Sequence, residues 1–309
     1  MTYLIDSRPH PGTAARYDLD AAIVLVGCGG TGGFLADALC RLLVGCAATL
    51  TLVDPDVIES HNVLRQNFAR REVGQFKALA LARRLAERYG REVCASVRPY
   101  DRETHAECFA PPAALALLIG AVDNAAARRA LAATLAGGRW HGAYGYPLQP
   151  IWWLDAGNGR NSGQVLLGNT TRPDELRDAF IPDGAGGGLC RALPAPSLQR
   201  PDLLEAPPQP EALPPPDCAE AIAQDEQGAT VNQYVAALLA GYVEQLLAGR
   251  CRWMRTVFDL DSGLHAAVPA DPKLVADLTG LHPNAIVDRS RRAIPIARPE
   301  DAAREAATA

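Results

Sequence analysis

The chain has 309 residues and is mildly acidic, with 35 Asp and Glu residues against 30 Lys and Arg residues. This balance argues against a broad basic surface of the kind that binds nucleic acid, so we expect no nucleic-acid partner. The length allows one large α/β domain with appendages. Because the apolar stretches are too short for a bilayer and the N-terminus shows no secretion signal, we expect a cytoplasmic protein without a membrane partner.

The eight cysteines give no sign of a metal site, since no two of them are spaced as Cys-x-x-Cys. Without a secretory context, a disulfide framework is equally unsupported. Most of the cysteines lie in apolar segments, where a cysteine usually acts as a small buried hydrophobe. Cys190 and Cys218 differ, because their surroundings are polar or rich in Pro and Gly.

The first half of the chain alternates strand and helix patterns. An apolar run over Ala21–Val26 leads into a glycine-rich turn and a helical pattern, and a strand rich in Thr and Val follows over residues 49–53. Two more helices and two more strands are predicted over residues 76–89, 92–97, 115–122 and 124–136. This order predicts an α/β fold, a Rossmann-like and mostly parallel sheet with helices on both faces.

The second half departs from this alternation. Strand patterns over residues 151–154 and 164–167 flank a Gly/Asn/Ser turn and predict an antiparallel extension of the sheet. Residues 182–217 are so rich in Pro and Gly that we expect a long mobile crossover loop without strand or helix. A helix is predicted over residues 230–248, and a loosely attached C-terminal tail over residues 261–309.

A glycine loop, Gly27-x-Gly29-Gly30-x-Gly32, connects the first strand of the alternating region to its helix. Glycines permit the tight turn and let backbone N–H groups approach a phosphate at the helix N-terminus. Asp54 ends the next strand, where its carboxylate can accept hydrogen bonds from ribose hydroxyls. The pattern predicts a nucleotide site, but it is also typical of NAD-dependent oxidoreductases, and a glycine turn can serve helix packing alone.

A dense polar block after the second strand favours a different nucleotide chemistry. It contains Asp56, Asn62, Arg65 and Gln66, and Lys77 follows at the start of the next helix. Residues directly after a parallel strand lie at the carboxyl edge of the sheet, where ligands bind. A nucleotidyl transferase needs Arg and Lys there because charge builds on the departing pyrophosphate. The six histidines form no convincing site for hydride transfer.

Four ordered motifs within residues 21–137 carry a family resemblance. They are the glycine loop, the polar run over residues 54–66, the segment Gly-x-x-Lys-Ala over residues 74–78, and Ala121-Val122-Asp123-Asn124. Together they resemble the ThiF/MoeB/HesA family, whose members share the adenylating domain of ubiquitin-activating enzymes. The chain has Asn-Val-Leu-Arg-Gln over residues 62–66 where Asn-Leu-x-Arg-Gln is usual, a conservative departure.

The resemblance implies a site for ATP and Mg²⁺. Asp54 would hold the ribose, Arg65 and Lys77 would bind phosphates, and Asp123 would organise the Mg²⁺. The remaining residues implied at this site are Gly27, Gly29, Gly30, Gly32, Asp56, Asn62, Gln66 and Asn124. Alternatives stay open for three of these residues. Arg65 could be a solvated surface arginine, Lys77 could be an ordinary surface lysine at the start of an amphipathic helix, and Asp123 could merely cap the helix that follows it.

The resemblance also implies a reaction. The C-terminal carboxylate of a small ubiquitin-like or sulfur-carrier protein ending in glycine would attack ATP and release pyrophosphate. Residues 21–260 would form the adenylating domain after an N-terminal segment, residues 1–20. Homodimeric relatives extend an N-terminal Arg to the partner's ATP, so we expect a homodimer, with Arg16 as a faint candidate. A non-catalytic binding module with the same fold is a further alternative.

Residues 153–168 resemble a narrower branch, the ThiF-family proteins of bacterial PRTRC gene systems, whose neighbours include small ubiquitin-like and JAB-protease-like proteins. Asp155 and Asn158 could instead build the hairpin turn, and we favour that interpretation for Asp155.

Many family members pass the adenylated carboxylate to a cysteine on a mobile crossover loop. Cys218 precedes a predicted helix, where its pKa would be lowered, although acidic neighbours oppose this effect. Cys190 is the rival, and a chain without a functional thiol is the third possibility.

Overall fold

The structure is a computed structural model that describes residues 2–7, 20–110, 113–136, 150–184, 187–205 and 230–290. Its principal feature is an eight-stranded sheet. Five neighbouring strands of this sheet are parallel: β4 (Cys94–Ser96), β3 (Ala48–Val53), β2 (Ala21–Val26), β5 (Leu115–Gly120) and β6 (Ile151–Asn158). The antiparallel strands that continue from β6 are β7 (Ser162–Gly168), β10 (Trp253–Asp259) and β11 (Leu264–Pro269). The predicted Rossmann-like sheet with an antiparallel extension is confirmed.

Helices cover both faces of the sheet, which explains why β2 and β5 are buried along their whole length. Alternate residues of β2 enter two different apolar clusters, with Ile23 on one face and Val24 on the other. The first face packs against α1 (Gly30–Leu42), α2 (Lys77–Tyr89) and α6 (Val231–Leu247). The second face packs against α3 (Arg102–Cys108) and α4 (Ala125–Ala136).

A second, three-stranded sheet differs from the expectation for the Pro/Gly-rich region. It consists of β1 (Thr2–Ile5), β9 (Gly187–Cys190) and β8 (Phe180–Pro182), in that order. The expected loop therefore contains the strand β9. Glycine lets β9 approach β8 closely, since a Cβ on Gly188 would lie 2.1 Å from the Ile181 carbonyl oxygen.

The prolines of this region begin short helices instead of preventing them. Helix α5 spans Pro196–Gln199, and a 3-10 turn spans Pro201–Leu204. Proline is tolerated in the first turn of a helix because the N–H group that it lacks would have no helical partner there. The remainder of the predicted crossover loop, residues 206–217, lies outside the described residues.

The C-terminal region is also more ordered than expected up to residue 290. Strand β11 pairs with β10, and α7 (Pro272–Thr279) and α8 (Pro283–Ile286) follow. Asp271 caps α7 by accepting from the backbone N–H of Lys273, and Ile286 is fully buried. Residues 291–309 of the expected tail lie outside the described part of the chain. Over the described residues, no helix combines the length and apolarity needed to cross a membrane.

Short 3-10 turns complete the described elements. They span Ser60–Leu64, Arg70–Glu72 and Pro173–Leu176. The first two belong to the polar block between β3 and α2, so that this block runs as compact turns along the carboxyl edge of the sheet. The sheet, with α1 and α2, is therefore the scaffold on which the candidate site is built.

Candidate functional site

A cleft of about 1380 Å³ lies at the carboxyl edge of the parallel strands. It brings together most of the residues that the sequence indicated, although they come from four separate segments. Those that line it are Gly27, Gly29, Gly30, Asp54, Asp56, Arg65, Gln66, Lys77, Asp123 and Asn124. Gly32 and Asn62 do not line the cleft but support it from behind.

The glycine loop is shaped by contacts that no other residue type would permit. Gly27 has a φ of +91°, and a Cβ there would lie 2.4 Å from the Ala121 carbonyl oxygen. A Cβ on Gly32 would lie 1.8 Å from the carbonyl oxygen of Gly27. Helix α1 begins directly after Gly29, which has no side chain to cap it. The first turn of α1 therefore presents backbone N–H groups and a positive dipole end, which suits a phosphate.

Asp54 fastens the glycine loop to the end of β3. Its Oδ2 accepts a hydrogen bond from the backbone N–H of Cys28 at 2.6 Å, and its Oδ1 accepts from the N–H of Asp56 at 2.8 Å. Burial raises the pKa of this carboxyl, and the two backbone donors and the nearby Lys77 counteract that effect. Each carboxylate oxygen has a further acceptor position, so a ribose hydroxyl could still be bound.

Lys77 and Asp56 form an ion pair at the cleft, with 2.8 Å between Nζ and Oδ2. The backbone N–H of Lys77 also donates to the carbonyl of Asp56. The side chain of Lys77 is only 11% exposed, whereas that of Asp56 is 64% exposed. The first residue of α2 is thereby held by the segment that follows β3, and its ammonium group is directed to the cleft.

Two amide side chains of the polar block have different roles: Gln66 lines the cleft, and Asn62 supports the turn behind it. Gln66 lies beside the loop, with Nε2 3.7 Å from the position of a Cβ on Gly29. The buried Oε1 of Gln66 has no hydrogen-bond partner among the described residues, which suits a site that takes a polar ligand. Asn62 is buried and accepts from the backbone N–H of Glu59 at 2.9 Å. It therefore supports the turn before Arg65 and does not line the cleft.

Asp123 is exposed in the turn between β5 and α4. Asn124, and not Asp123, caps α4, because the Asn124 Oδ1 accepts from the backbone N–H of Ala127 at 2.8 Å. The Asn124 amide also donates to the Asp123 carboxylate at 3.1 Å. In the described part of the chain, no group of three or more His, Cys, Asp and Glu side chains could hold a metal ion. A lone carboxylate still fits Mg²⁺, which takes its other ligands from water and substrate phosphates.

A buried amide, Asn232, was missed by the sequence analysis. It lies in the first turn of α6, and its Oδ1 accepts from Asn158 Nδ2 at 2.6 Å and from Thr31 Oγ1 at 3.2 Å. It connects the end of β6 to the first turn of α1, and it lines the cleft beside Gly30. The only local signal was a pair of amides, Asn232 and Gln233, at the start of a mostly apolar helix.

Asp155 does not build the hairpin turn, as the sequence analysis had favoured. It is fully buried within β6, and its Oδ2 accepts from Nε of Arg128 on α4 at 3.1 Å. Burial raises the pKa of Asp155 to about 6, and the Arg128 guanidinium opposes the rise. The prediction was wrong because β6 continues as far as Asn158, so that the turn begins only there.

Of the two candidate thiols, Cys190 lies among the described residues and Cys218 does not. Cys190 lies in β9, is fully buried, and donates from Sγ to the Ala192 carbonyl. Burial raises its pKa well above the ordinary value, so it lacks the exposure and thiolate character of a nucleophile. Cys218 lies outside the described residues, as does Arg16.

The cleft thus combines the glycine loop at the N-terminus of α1 with four charged side chains. Asp54 is buried directly after β3, and Arg65, Lys77 and the exposed Asp123 line the cleft as well. A family model described as the ThiF family matches residues 15–252. The chain belongs to the ThiF family. The match covers all of the parallel sheet and the helices that form the cleft.

Two curated relatives of this ThiF-family chain are similar over short stretches. Both are described as ATP-dependent ubiquitin transferase-like protein Cap2. The Vibrio cholerae serotype O1 protein is 34% identical over 98 residues, which cover 31% of this chain and 16% of the relative. The Escherichia coli (strain TW11681) protein is 41% identical over 66 residues, or 21% of this chain and 11% of the relative. The matches span less than a fifth of the length of these relatives.

Solved structures share the fold of this ThiF-family chain at low sequence identity. Escherichia coli MccB matches with a TM-score of 0.51 and 16% identity, covering 82% of this chain and 63% of MccB. The structure of PaaA matches with a TM-score of 0.50 and 15% identity, covering 82% of this chain and 65% of PaaA. These likenesses establish the fold.

Proposed function

We propose that this protein uses ATP to adenylate the C-terminal carboxylate of a small ubiquitin-like or sulfur-carrier protein that ends in glycine. One observation carries the proposal: the glycine loop, the Lys77–Asp56 pair and the Asp123 turn meet in a single cleft. A dehydrogenase would need a hydride-transfer site in such a cleft, whereas adenylation needs cations and an acid beside the phosphates. The name of the Cap2 relatives, which refers to ATP and to ubiquitin transfer, is consistent with this choice.

The nucleotide would lie along the carboxyl edge of the sheet. The first turn of α1 would receive phosphate oxygens through its N–H groups, and Asp54 would accept hydrogen bonds from the ribose. Lys77 and Arg65 would bind the phosphates, with Gln66 beside them. Because Lys77 is already paired with Asp56, its ammonium is oriented before the nucleotide arrives, which lowers the cost of ordering it.

The chemical step is an exchange of one bond at the α-phosphorus of ATP. A carboxylate oxygen of the carrier forms a bond to that phosphorus, and the bond from phosphorus to the bridging oxygen of pyrophosphate breaks. Pyrophosphate leaves with the electron pair, and an acyl-adenylate remains. No general base is needed, because the carboxylate is ionised at neutral pH. Lys77 and Arg65 stabilise the charge that grows on the departing group.

Mg²⁺ fits this site as a second source of positive charge. It would supply electrostatic stabilisation of the phosphates, with Asp123 as its protein ligand. The Asn124 amide, which donates to Asp123, would orient the carboxylate. Asn124 is itself fixed as the cap of α4, so the turn is held in place by the helix that it begins.

Later steps are proposed from the family alone. The thiolate of Cys218 would attack the acyl carbon and release AMP, giving a thioester. A homodimer would form, and the carrier would be a small ubiquitin-like protein of the kind found beside PRTRC genes. The protein would act in the cytoplasm.

The test is pyrophosphate exchange into ATP with the purified protein, Mg²⁺ and candidate carrier proteins that end in Gly-Gly. We expect exchange that depends on the carrier and disappears when its terminal glycine is removed. ATP binding without exchange for any carrier would favour a binding module instead. Tight NAD binding with no use of ATP would favour an oxidoreductase.

A further inference from the structure

A buried ion pair lies directly behind the turn that carries Asp123. We propose that Arg128 and Asp155 are positioning residues, which fix this turn relative to β6 and so set the position of Asp123 in the cleft. The inference rests on the proposed function, because it concerns where the nucleotide and the incoming carboxylate meet. Arg128 lines the cleft and Asp155 does not. Because Nε and one terminal nitrogen of Arg128 donate to protein acceptors, we expect neither residue to touch the reacting atoms.

The guanidinium group of Arg128 donates hydrogen bonds to three acceptors, one carboxylate and two backbone carbonyls. Its Nε donates to Asp155 Oδ2 at 3.1 Å, and one terminal nitrogen donates to the carbonyl of Val122 at 2.7 Å and to the carbonyl of Ala156 at 3.0 Å. Val122 immediately precedes Asp123, and Ala156 is a residue of β6 that lines the cleft. A shift of Arg128 would therefore change the distance between the Asp123 turn and β6.

The two carbonyls belong to separate parts of the cleft wall. Val122 is part of the turn that carries Asp123, whereas Ala156 is followed along β6 by Gly157 and Asn158, which also line the cleft. The Arg128 bridge therefore joins the turn that would hold Mg²⁺ to the strand that forms another part of the wall.

Stability alone does not explain why the ion pair between Arg128 and Asp155 is buried. Both side chains are almost excluded from solvent, with 10% of Arg128 and 1% of Asp155 exposed. Burying such a pair is often no better for stability than an apolar pair of the same size. Asp155 Oδ1 has no hydrogen-bond partner among the described residues, which adds a further cost. Gly120 on the neighbouring strand leaves room for this carboxylate, since a Cβ there would lie 2.9 Å from that oxygen.

Arginine has the geometry that this role requires, and lysine does not. The planar guanidinium presents donors in fixed directions, so that one side chain can serve a carboxylate and two carbonyls together. A lysine at the same place would retain the charge opposite Asp155 but could not hold all three acceptors in the same directions. The Arg128→Lys substitution therefore keeps the positive charge opposite Asp155 while removing the fixed hydrogen-bond geometry.

The experiment compares three variants with the unmodified protein. Arg128→Lys keeps the charge, and the double variant Arg128→Met/Asp155→Val replaces the ion pair with apolar side chains. Arg129→Met is the matched control, because Arg129 is the next residue of α4 and is exposed. The measurements are the urea midpoint of unfolding, the Kd for ATP with and without Mg²⁺, and carrier-dependent pyrophosphate exchange.

We expect the double variant to unfold at a urea concentration close to that of the unmodified protein. Its Kd for ATP without Mg²⁺ should be unchanged, its gain in affinity from Mg²⁺ should disappear, and its exchange rate should fall about 100-fold. Arg128→Lys should show the same losses, and Arg129→Met should show none. If Arg128→Lys retained both the Mg²⁺ effect and full exchange, the pair would be structural and the inference would be wrong.

If the unmodified protein bound Mg²⁺-ATP but no tested carrier supported pyrophosphate exchange, the proposed reaction would fail. The effect of Mg²⁺ on ATP affinity would still test the position of the Asp123 turn. A double variant that lost its Mg²⁺ effect would then support the positioning role. One that kept it would refute that role.

Discussion

Lys77 and Asp56 are joined twice, through an ion pair of 2.8 Å between their side chains and through a hydrogen bond between their backbones. The double connection fixes the first residue of α2 to the segment after β3. It holds a nearly buried ammonium group in the cleft that the glycine loop also lines. The Lys77 ammonium is therefore a fixed part of the cleft, although its partner Asp56 is 64% exposed, and the pair can be tested separately from the loop.

We predict that Lys77→Met lowers carrier-dependent pyrophosphate exchange by about 100- to 1,000-fold, because one preorganised donor to the developing charge is lost. Asp56→Asn should lower it only about tenfold, since the lysine remains but is less well oriented. Lys273→Met is the control, because Lys273 lies on α7 and does not line the cleft. Equal exchange by Lys77→Met and the control would exclude Lys77 from catalysis.

Asp54→Asn should weaken ATP binding roughly 10- to 100-fold, as expected when a buried group loses its partner. The substituted amide can accept only through its oxygen, so one of the two backbone N–H groups of Cys28 and Asp56 would face another donor. The measurement is isothermal titration calorimetry with ATP. Asp37→Asn is the control, because Asp37 pairs with Arg41 on α1, away from the cleft. Unchanged affinity in Asp54→Asn would remove Asp54 from the nucleotide site.

Two glycine substitutions should have opposite effects on stability. Gly32→Ala places a Cβ 1.8 Å from the carbonyl oxygen of Gly27, so we expect it to unfold at a lower urea concentration and to lose ATP binding. Gly241→Ala lies within α6 with open space around it, and should raise the free energy of unfolding by about 0.5–1 kcal/mol. The measurement is urea denaturation. A tolerated Gly32→Ala would contradict the tight packing of the loop.

The two candidate cysteines give a direct test of the thioester step. We predict that Cys218→Ala abolishes a conjugate with the carrier that dithiothreitol cleaves, while leaving pyrophosphate exchange intact. Cys190→Ala should leave both unchanged, because its thiol is buried in β9 and has a raised pKa. The conjugate is detected by gel electrophoresis with and without reductant. A conjugate that persists in Cys218→Ala would assign the thioester to another residue or remove the step.

His105 should make the protein less stable in mild acid. It is buried and hydrogen-bonded to Tyr100, and burial lowers its pKa to about 4 from 6.5. Between these pH values the unfolded chain binds a proton that the folded protein does not, so stability falls as pH falls from 6.5 to 4. The contribution amounts to about 2 kcal/mol between pH 7 and pH 5.

Urea unfolding at pH 7 and pH 5 measures this effect. His105→Gln should lose less stability between the two pH values than the unmodified protein does. The half-exposed His61, substituted as His61→Gln, is the control and should behave like the unmodified protein. An identical pH dependence in His105→Gln and the unmodified protein would show that another group is responsible.

The sequence by itself determined the parallel part of the fold, because that information is local. The apolar runs of β2 and β5, the glycine turn before α1 and the amphipathic pattern of α2 each span fewer than about 15 residues and have a recognisable period or composition. The polar block after β3 follows from the same topology, since the segments after parallel strands meet at one edge of the sheet.

Tertiary structure alone decided which residues connect these segments. Thr31 and Asn232 are 201 residues apart in sequence, and Arg128 and Asp155 are separated by 27, yet each pair meets beside the cleft. Nothing in the period of a helix or strand specifies such a partner. The burial of Cys190 depended likewise on β9 adding to a sheet begun by the distant β1. Local pattern fixes an element and its apolar face, whereas pairing between elements depends on how all of them pack together.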